Sequence, residues 1–224
     1  MALFNNFKAA LGLFKEDHRL NTTYKHISPD QLLELAGSES TEDAFWEAIN
    51  YRMQNRHVNL RHNTPEEDEI RTLEILSDSQ LAYYVGSVYA TAMGVSFEGT
   101  DADADVVANT NTNTNADAGD KDTIPYGLYH YLIQPSRIHI PLLAGQLKKL
   151  HACRHAELFE KFIADQGILF SKLDTCINRL VEDHDPQDAG TIYSAYEGAF
   201  SAIDQEENLK KLLKEYVISH IEEF

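Results

Sequence analysis

Short apolar stripes at helical spacing, each opened by a capping residue and most closed by glycine or proline, constrain this chain more than any other feature. "SPDQLLELAG" places Ser28 at an N-cap, Pro29 at the first helical position and Gly37 just past the end. "STEDAFWEAINYRMQNRH" opens on Ser/Thr and early acids, then sets Phe45, Trp46, Ile49 and Met53 on one face. "TPEEDEIRTLEIL" repeats the signal with Thr64, Pro65 and a run of acids, which favour the positive end of a helix. "SDSQLAYYVGSVYATAMG" restarts at Ser77, with Leu81, Tyr84, Val85 and Val88 as its buried stripe and Gly94 as its stop. Downstream, "GLYHYL" reads as a short helix or buried turn. Pro141 opens "PLLAGQLKKLHAC", and "RHAELFEKFIADQG" buries Leu158, Phe159 and Phe162 and stops at Gly167. "LFSKLDTCINRLVEDHDP" ends at Pro186, and Asp204 caps a last helix with acids first and lysines later. There is no long alternating run of β-branched residues. The expectation is a mainly α-helical single domain over residues 1–224, an irregular helical bundle.

One tract breaks the pattern. Residues 99–122 include "NTNTNTN" at 109–115 and carry almost no apolar side chains, so they read as a disordered or mobile acidic insertion. Asp101, Asp103 and Asp105 alternate as in a calcium loop. Such a loop also needs glycine at its sixth position and glutamate at its twelfth, and those positions hold Val106 and Thr112. No dedicated cation site is expected there.

Acids outnumber bases by 36 to 19, a formal charge of -17. That charge argues against direct binding of nucleic acid or anionic membrane, which both require Lys/Arg. It favours basic partners. No apolar run reaches membrane-spanning length. The N-terminal "MALFNNFKAALGLFKED" lacks the form of a signal peptide and reads as an amphipathic helix on Leu3, Phe4, Phe7, Leu11 and Phe14. Two cysteines, Cys153 and Cys176, fit free thiols in a reducing cytoplasm.

No nucleophile motif, phosphate-cradling loop or dinucleotide fingerprint occurs, so no catalytic residue and no cofactor is assigned. On a regular helix "HACRHAE" would set His151 and His155 one turn apart, a spacing that can hold zinc, but a catalytic site needs a third ligand and a base. His130 lies among aromatics, where a buried, hydrogen-bonded histidine is the ordinary outcome. A small metal-binding protein or enzyme built on His130 or on the His151/His155 pair is therefore an alternative. So is an immunity-type protein that neutralises a basic toxin.

Carboxylates form the remaining constellation. Glu42, Asp43 and Glu47 make one set, Glu66, Glu67, Asp68, Glu69 and Glu74 a second, and Glu157 and Glu160 a third. Helical residues three or four apart have Cβ atoms about 5–6 Å apart. Rows of acids at that spacing resemble a line of phosphates, and a rigid body bearing them suits the DNA-binding groove of a basic protein.

Three stretches carry a resemblance to a known family. "GLYHYLIQ", "LKKLHACRHAELFEKFI" and "AIDQEENLKKLLKEYVISHIEEF", with "LSDSQLAYYVGSVY" before them, resemble in that order the DNA-mimic-protein-nineteen-like family of small acidic helical bacterial proteins. The similarity covers about residues 76–95 and 126–224 and rests on Gly127, His130, Tyr131, Tyr216, Val217, His220, Glu223 and Phe224. It includes a helix pair around the turn within "LHACRHAEL". The family's Asn-Gly-Gly segment is missing where the polar tract stands, and His130 occupies a glutamine position, which suggests that the tract is an insertion. The resemblance implies a dimeric acidic protein that binds a transcription factor and keeps it from its operator. The expectation is a non-enzymatic DNA mimic, cytoplasmic, with a basic DNA-binding protein as partner and a homodimer as its own assembly.

Overall fold

The structure, a computed structural model, describes residues 27–56, 70, 73–97, 127–133, 137–182 and 186–224. The N-terminal amphipathic segment, residues 57–69 and the polar tract lie outside them. The fold is all-α, with no strand among the described residues. In chain order the helices are α1 (Pro29–Ala36), α2 (Glu42–Arg56), α3 (Asp78–Ala92), α4 (Leu128–Leu132), α5 (Leu143–Lys149), α6 (Cys153–Asp165), α7 (Leu173–Glu182), α8 (Pro186–Asp204) and α9 (Leu209–Ser219). Single 3-10 turns lead into α2, α5 and α7, and another, Ile221–Glu223, follows α9.

The capping chemistry read from the sequence sets several of these boundaries. Ser28 and Ser77 each form a reciprocal capping box, with Gln31 and Gln80 respectively. Gly94 and Gly167 adopt φ of 85° and 60°. Each closes a Schellman turn in which the next residue's N–H reaches back to a helix carbonyl, Val95 to Ala90 at 2.9 Å and Ile168 to Ile163 at 2.9 Å.

α3 is the centre of the fold. It packs on α5, α9 and α4 and is buried around nearly its whole circumference. Val85 and Val88 are buried as the stripe predicts. Leu81 and Tyr84 are only half-buried, whereas Tyr83 and Tyr89 are at the core. A stripe presumes one solvent face, and α3 has none to speak of. Small residues make this possible. A Cβ on Gly86 would lie 2.4 Å from Leu150 Cδ1 and 3.2 Å from Leu213 Cδ2, so α5 and α9 close onto α3 at that point.

Two aromatic groups flank α3. Tyr83 meets Phe224 edge-on at 5.4 Å and stacks with Trp46 at 6.3 Å. Tyr89 meets Tyr131 at 5.3 Å and Phe200 at 5.8 Å. Its hydroxyl also bonds that of Tyr196 at 2.5 Å. Phe45, Trp46, Ile49 and Met53 on α2 are all buried, as their spacing implies.

The C-terminal helices differ from the sequence reading at two points. α7 is described as far as Glu182, and Pro186 opens α8, a 19-residue helix that the sequence reading passed over. Gly190, Gly198 and several small or β-branched residues lower local helix propensity there. Packing overrides this by burying Tyr193, Tyr196 and Phe200 along one face. The last helix starts on Asn208, not Asp204, and its first turn holds Lys210 and Lys211 instead of acids. Those lysines oppose the helix dipole, and their ion pairs with Glu42 and Glu215 offset the penalty.

The polar tract's two flanks are joined. Gly127 N–H donates to Ala92 O at 2.6 Å, so the chain between them leaves and returns at one point. Loop-closure cost changes slowly with length. Replacing residues 99–122 by a short Gly-Ser linker should therefore leave the thermal midpoint unchanged or slightly raised. Circular dichroism melting checks this, and a fall of many degrees would show that the tract supports the fold.

Candidate functional site

The three carboxylate sets meet different fates in the fold. Glu42 is half-buried between Lys210 at 3.4 Å and Lys214 at 3.3 Å. Burial alone would raise its carboxyl, but the two lysines hold it below the usual range. Glu42 thus ties α2 to α9 and presents no free charge. Asp43 and Glu47, one and two turns along α2, are exposed. Glu39, in the 3-10 turn that runs into α2, extends their row at the same four-residue spacing. On α1, Asp30 and Glu34 are exposed, also four apart. Sequence reasoning missed Asp30, Glu34 and Glu39 because single acids in a short helix give no run; only the packing of α1 on α2 gathers them.

Glu66, Glu67, Asp68 and Glu69 lie outside the described residues. Glu74 is exposed in the helical stretch before Ser77. On α6, Glu157 is exposed, while Glu160 pairs with Lys148 at 2.5 Å. α6 packs on α5 and α8, and α2 packs on α1, so the fold places these acids on separate parts of the molecule.

Bases are largely taken up in ion pairs. Besides Lys148, Lys210 and Lys214, Lys149 pairs with Asp78 at 3.4 Å and Arg137 with Asp174 at 3.2 Å. Arg154 pairs with Glu206, and Lys161 with Asp165. Asp30, Glu34, Glu39, Asp43 and Glu157 have no salt bridge among the described residues. The result is a surface from which most described cations have been drawn into pairs, with exposed carboxylates left over along α1, the turn after it and α2.

The histidine pair does not exist as a helical pair. His151 is not on α6 at all: it sits in the turn between α5 and α6, exposed, at φ 62°. There it fills the left-handed position of a Schellman turn, with His151 N–H bonded to Lys148 O at 3.1 Å and Ala152 N–H to Leu147 O at 2.9 Å. His155, two residues into α6, is fully buried. Its Nε2 lies 2.9 Å from the Glu207 carbonyl, which can only accept, so Nε2 carries the proton. Asp204 Oδ1 stands 3.6 Å from the same nitrogen. Nδ1 is buried without a partner. Glu207 also reaches the N-terminus of α6, where Oε1 accepts from Arg154 N at 3.0 Å and His155 N at 3.4 Å. Ala152, the N-cap, has no side chain to do this. His155 therefore fastens α6 to the α8–α9 turn. Among the described residues no group of three or more His, Cys, Asp or Glu is placed to hold a metal.

The remaining sequence-marked residues are structural neighbours more than surface. Gly127 is the N-cap of α4, and Tyr131 is fully buried against Tyr89 and His139. Burial lowers the pKa of half-buried His130. The Tyr216 ring lies tilted against that of His220, with centroids 4.3 Å apart. Glu223 accepts from Ser77 Oγ at 2.7 Å and Ser79 Oγ at 2.9 Å, and these bonds hold its carboxyl below the usual range. Phe224 is fully buried. Cys153 is exposed, Cys176 is buried, and both are free thiols. No helix of the described residues is long and apolar enough to cross a membrane. No protein-family model, curated protein or solved structure matches this chain.

Two predictions arise here. A non-glycine residue in the left-handed region costs roughly 1–2 kcal/mol, and glycine gives back part of that as chain entropy. His151→Gly should therefore stabilise the fold by up to about 1 kcal/mol, measured by urea unfolding; destabilisation would mean that the imidazole makes an interaction of its own. The second concerns acid. Glu42 and Glu223 have depressed folded pKa values, so their contribution is present above the ordinary glutamate pKa and is lost as pH falls through the folded values. Stability should decline through the carboxylate range, and Glu42→Gln should flatten that decline. A pH series of thermal melts gives the comparison; superimposable acid limbs would count against the clamp.

Proposed function

We propose that the protein is a non-enzymatic acidic binding protein of the DNA-mimic kind, which occupies the DNA-binding surface of a basic protein such as a transcription factor. The observation that carries this reading is the separation of charge within the fold. Described cations are mostly held in ion pairs, while Asp30, Glu34, Glu39 and Asp43 stay exposed on and between α1 and α2, with no salt bridge among the described residues. Asp43 and Glu47 lie four residues apart on α2, a rise of about 6 Å, and Glu39 precedes them by four residues in the 3-10 turn. A rigid row of carboxylates competes for the same donors as a phosphate backbone, and the net charge of -17 adds steering toward any basic surface. The resemblance of residues 76–95 and 126–224 to the DNA-mimic-protein-nineteen-like family supports the same conclusion.

Immobilised protein should capture a basic DNA-binding protein from the native host at low salt and release it as salt rises, since exposed charge pairing is screened. Excess DNA should compete for the captured protein. Glu39→Lys combined with Asp43→Lys should slow association about tenfold while leaving the thermal midpoint within a few degrees, because steering acts mainly on the on-rate. A captured partner that binds this protein and its operator at once, without competition, overturns the mimic reading.

A further inference from the structure

Among the half-buried carboxylates, Glu197 differs from its counterparts. Glu42 is answered by two lysines and Glu223 by two hydroxyls, and both carboxyls sit below the usual range. Glu197, on α8, accepts the backbone N–H of Leu128, and burial holds its carboxyl above the usual range. It makes no salt bridge among the described residues. A partly desolvated anion without a cation is costly unless something outside the fold supplies one. Burial lowers the pKa of His130 on neighbouring α4, which disfavours its charged form.

The surroundings are built around that carboxylate. Gly127 stands at φ 122°, and a Cβ there would fall 1.9 Å from Glu197 Oε1. Glycine is thus required for the carboxylate to sit where it does. Tyr193, one turn earlier on the same face of α8, packs edge-on against Tyr129 of α4 at 5.4 Å. Its side chain is only 6 % exposed, and its hydroxyl is buried with no hydrogen-bond partner. Burial, with Tyr129 beside it, pushes that hydroxyl up to about 12, so it stays protonated and neutral at physiological pH. Along the side of α8 that meets α4 stand a half-buried carboxylate with no salt bridge among the described residues and, one turn away, a buried hydroxyl without a hydrogen-bond partner beside a second tyrosine ring.

We propose that Glu197, Tyr193 and Tyr129 form a receptor for one arginine side chain of the basic partner. A guanidinium is the cation that suits all three groups. Its planar fork donates to a carboxylate oxygen and a hydroxyl oxygen together, and its face stacks on an aromatic ring. The partner's basic character rests on the proposed function; the receptor for a guanidinium stands on the α4/α8 geometry alone. It would add a fixed point of registry to an acidic surface whose other contacts are diffuse.

The test uses N-acetyl-argininamide as probe, with the neutral isostere N-acetyl-citrullinamide as control, on the full chain. The Leu128 amide resonance reports directly, because its N–H is bonded to Glu197. Saturable shifts of Gly127 and Leu128 are expected with the arginine probe and not with the citrulline probe. Glu197→Gln, which keeps an acceptor for Leu128 N–H, should weaken binding at least tenfold. Tyr193→Phe should weaken it severalfold with the melting midpoint held. No saturable shift, equal response to the neutral probe, or undiminished binding by a folded Glu197→Gln variant overturns the receptor. Capture of a basic protein that is still lost on charge reversal of Glu39 and Asp43 would then leave the proposed function standing without it.

Discussion

Burying α3 on nearly every side is the constraint on which the rest of the structure depends. Such a helix still has two ends to satisfy, since its first four N–H and last four C=O groups lack partners within the helix. At the start, Ser77 and Gln80 form the capping box, and Glu223 accepts from the Ser77 and Ser79 hydroxyls. Gln80 Nε2 in turn donates to the Glu223 carbonyl at 2.5 Å. At the finish, Gly94 turns the chain and Val95 N–H reaches Ala90 O, while Ala92 O takes the N–H of Gly127. Segments more than 140 residues apart in the chain thus meet at one helix end, as Ser77 and Glu223 do.

The same logic of distant groups closing helix ends recurs in α6. Ala152 offers no cap, so Glu207 from the α8–α9 turn supplies one, and buried His155 bonds the carbonyl of that same residue. The histidine that sequence spacing offered as half of a metal pair is instead a fastening between helices. Its apparent partner is the residue that turns the chain between α5 and α6. Charge follows a parallel division. Acids that face lysines inside the fold act as ties, with Glu42 between α2 and α9 as the clearest case. Asp30, Glu34, Glu39 and Asp43, which have no salt bridge among the described residues, remain exposed on α1, the turn after it and α2.

Much of the fold was legible because helix boundaries are local chemistry. Ser28, Ser77, Gly94 and Gly167 do in the structure what their sequence contexts imply, through bonds that reach only three to five residues along the chain. α8 was not legible, because two glycines depress local propensity and its stability comes from burying Tyr193, Tyr196 and Phe200 against other helices. The candidate surface was half legible. Asp43 and Glu47 stand exposed as their spacing suggests, but nothing local distinguishes them from Glu42, whose lysines lie more than 160 residues away.

By itself, then, the sequence determined an all-α architecture, the positions of its best-capped helix ends and the strong net negative charge of the chain. Each of these depends on interactions within one or two helical turns, or on summed charge. Tertiary structure decided which helix lies at the centre, which carboxylates are ties and which remain exposed, and that Glu197 is half-buried with no salt bridge among the described residues. Those outcomes depend on desolvation and on partners brought together across the chain, and neither quantity exists until the helices have packed.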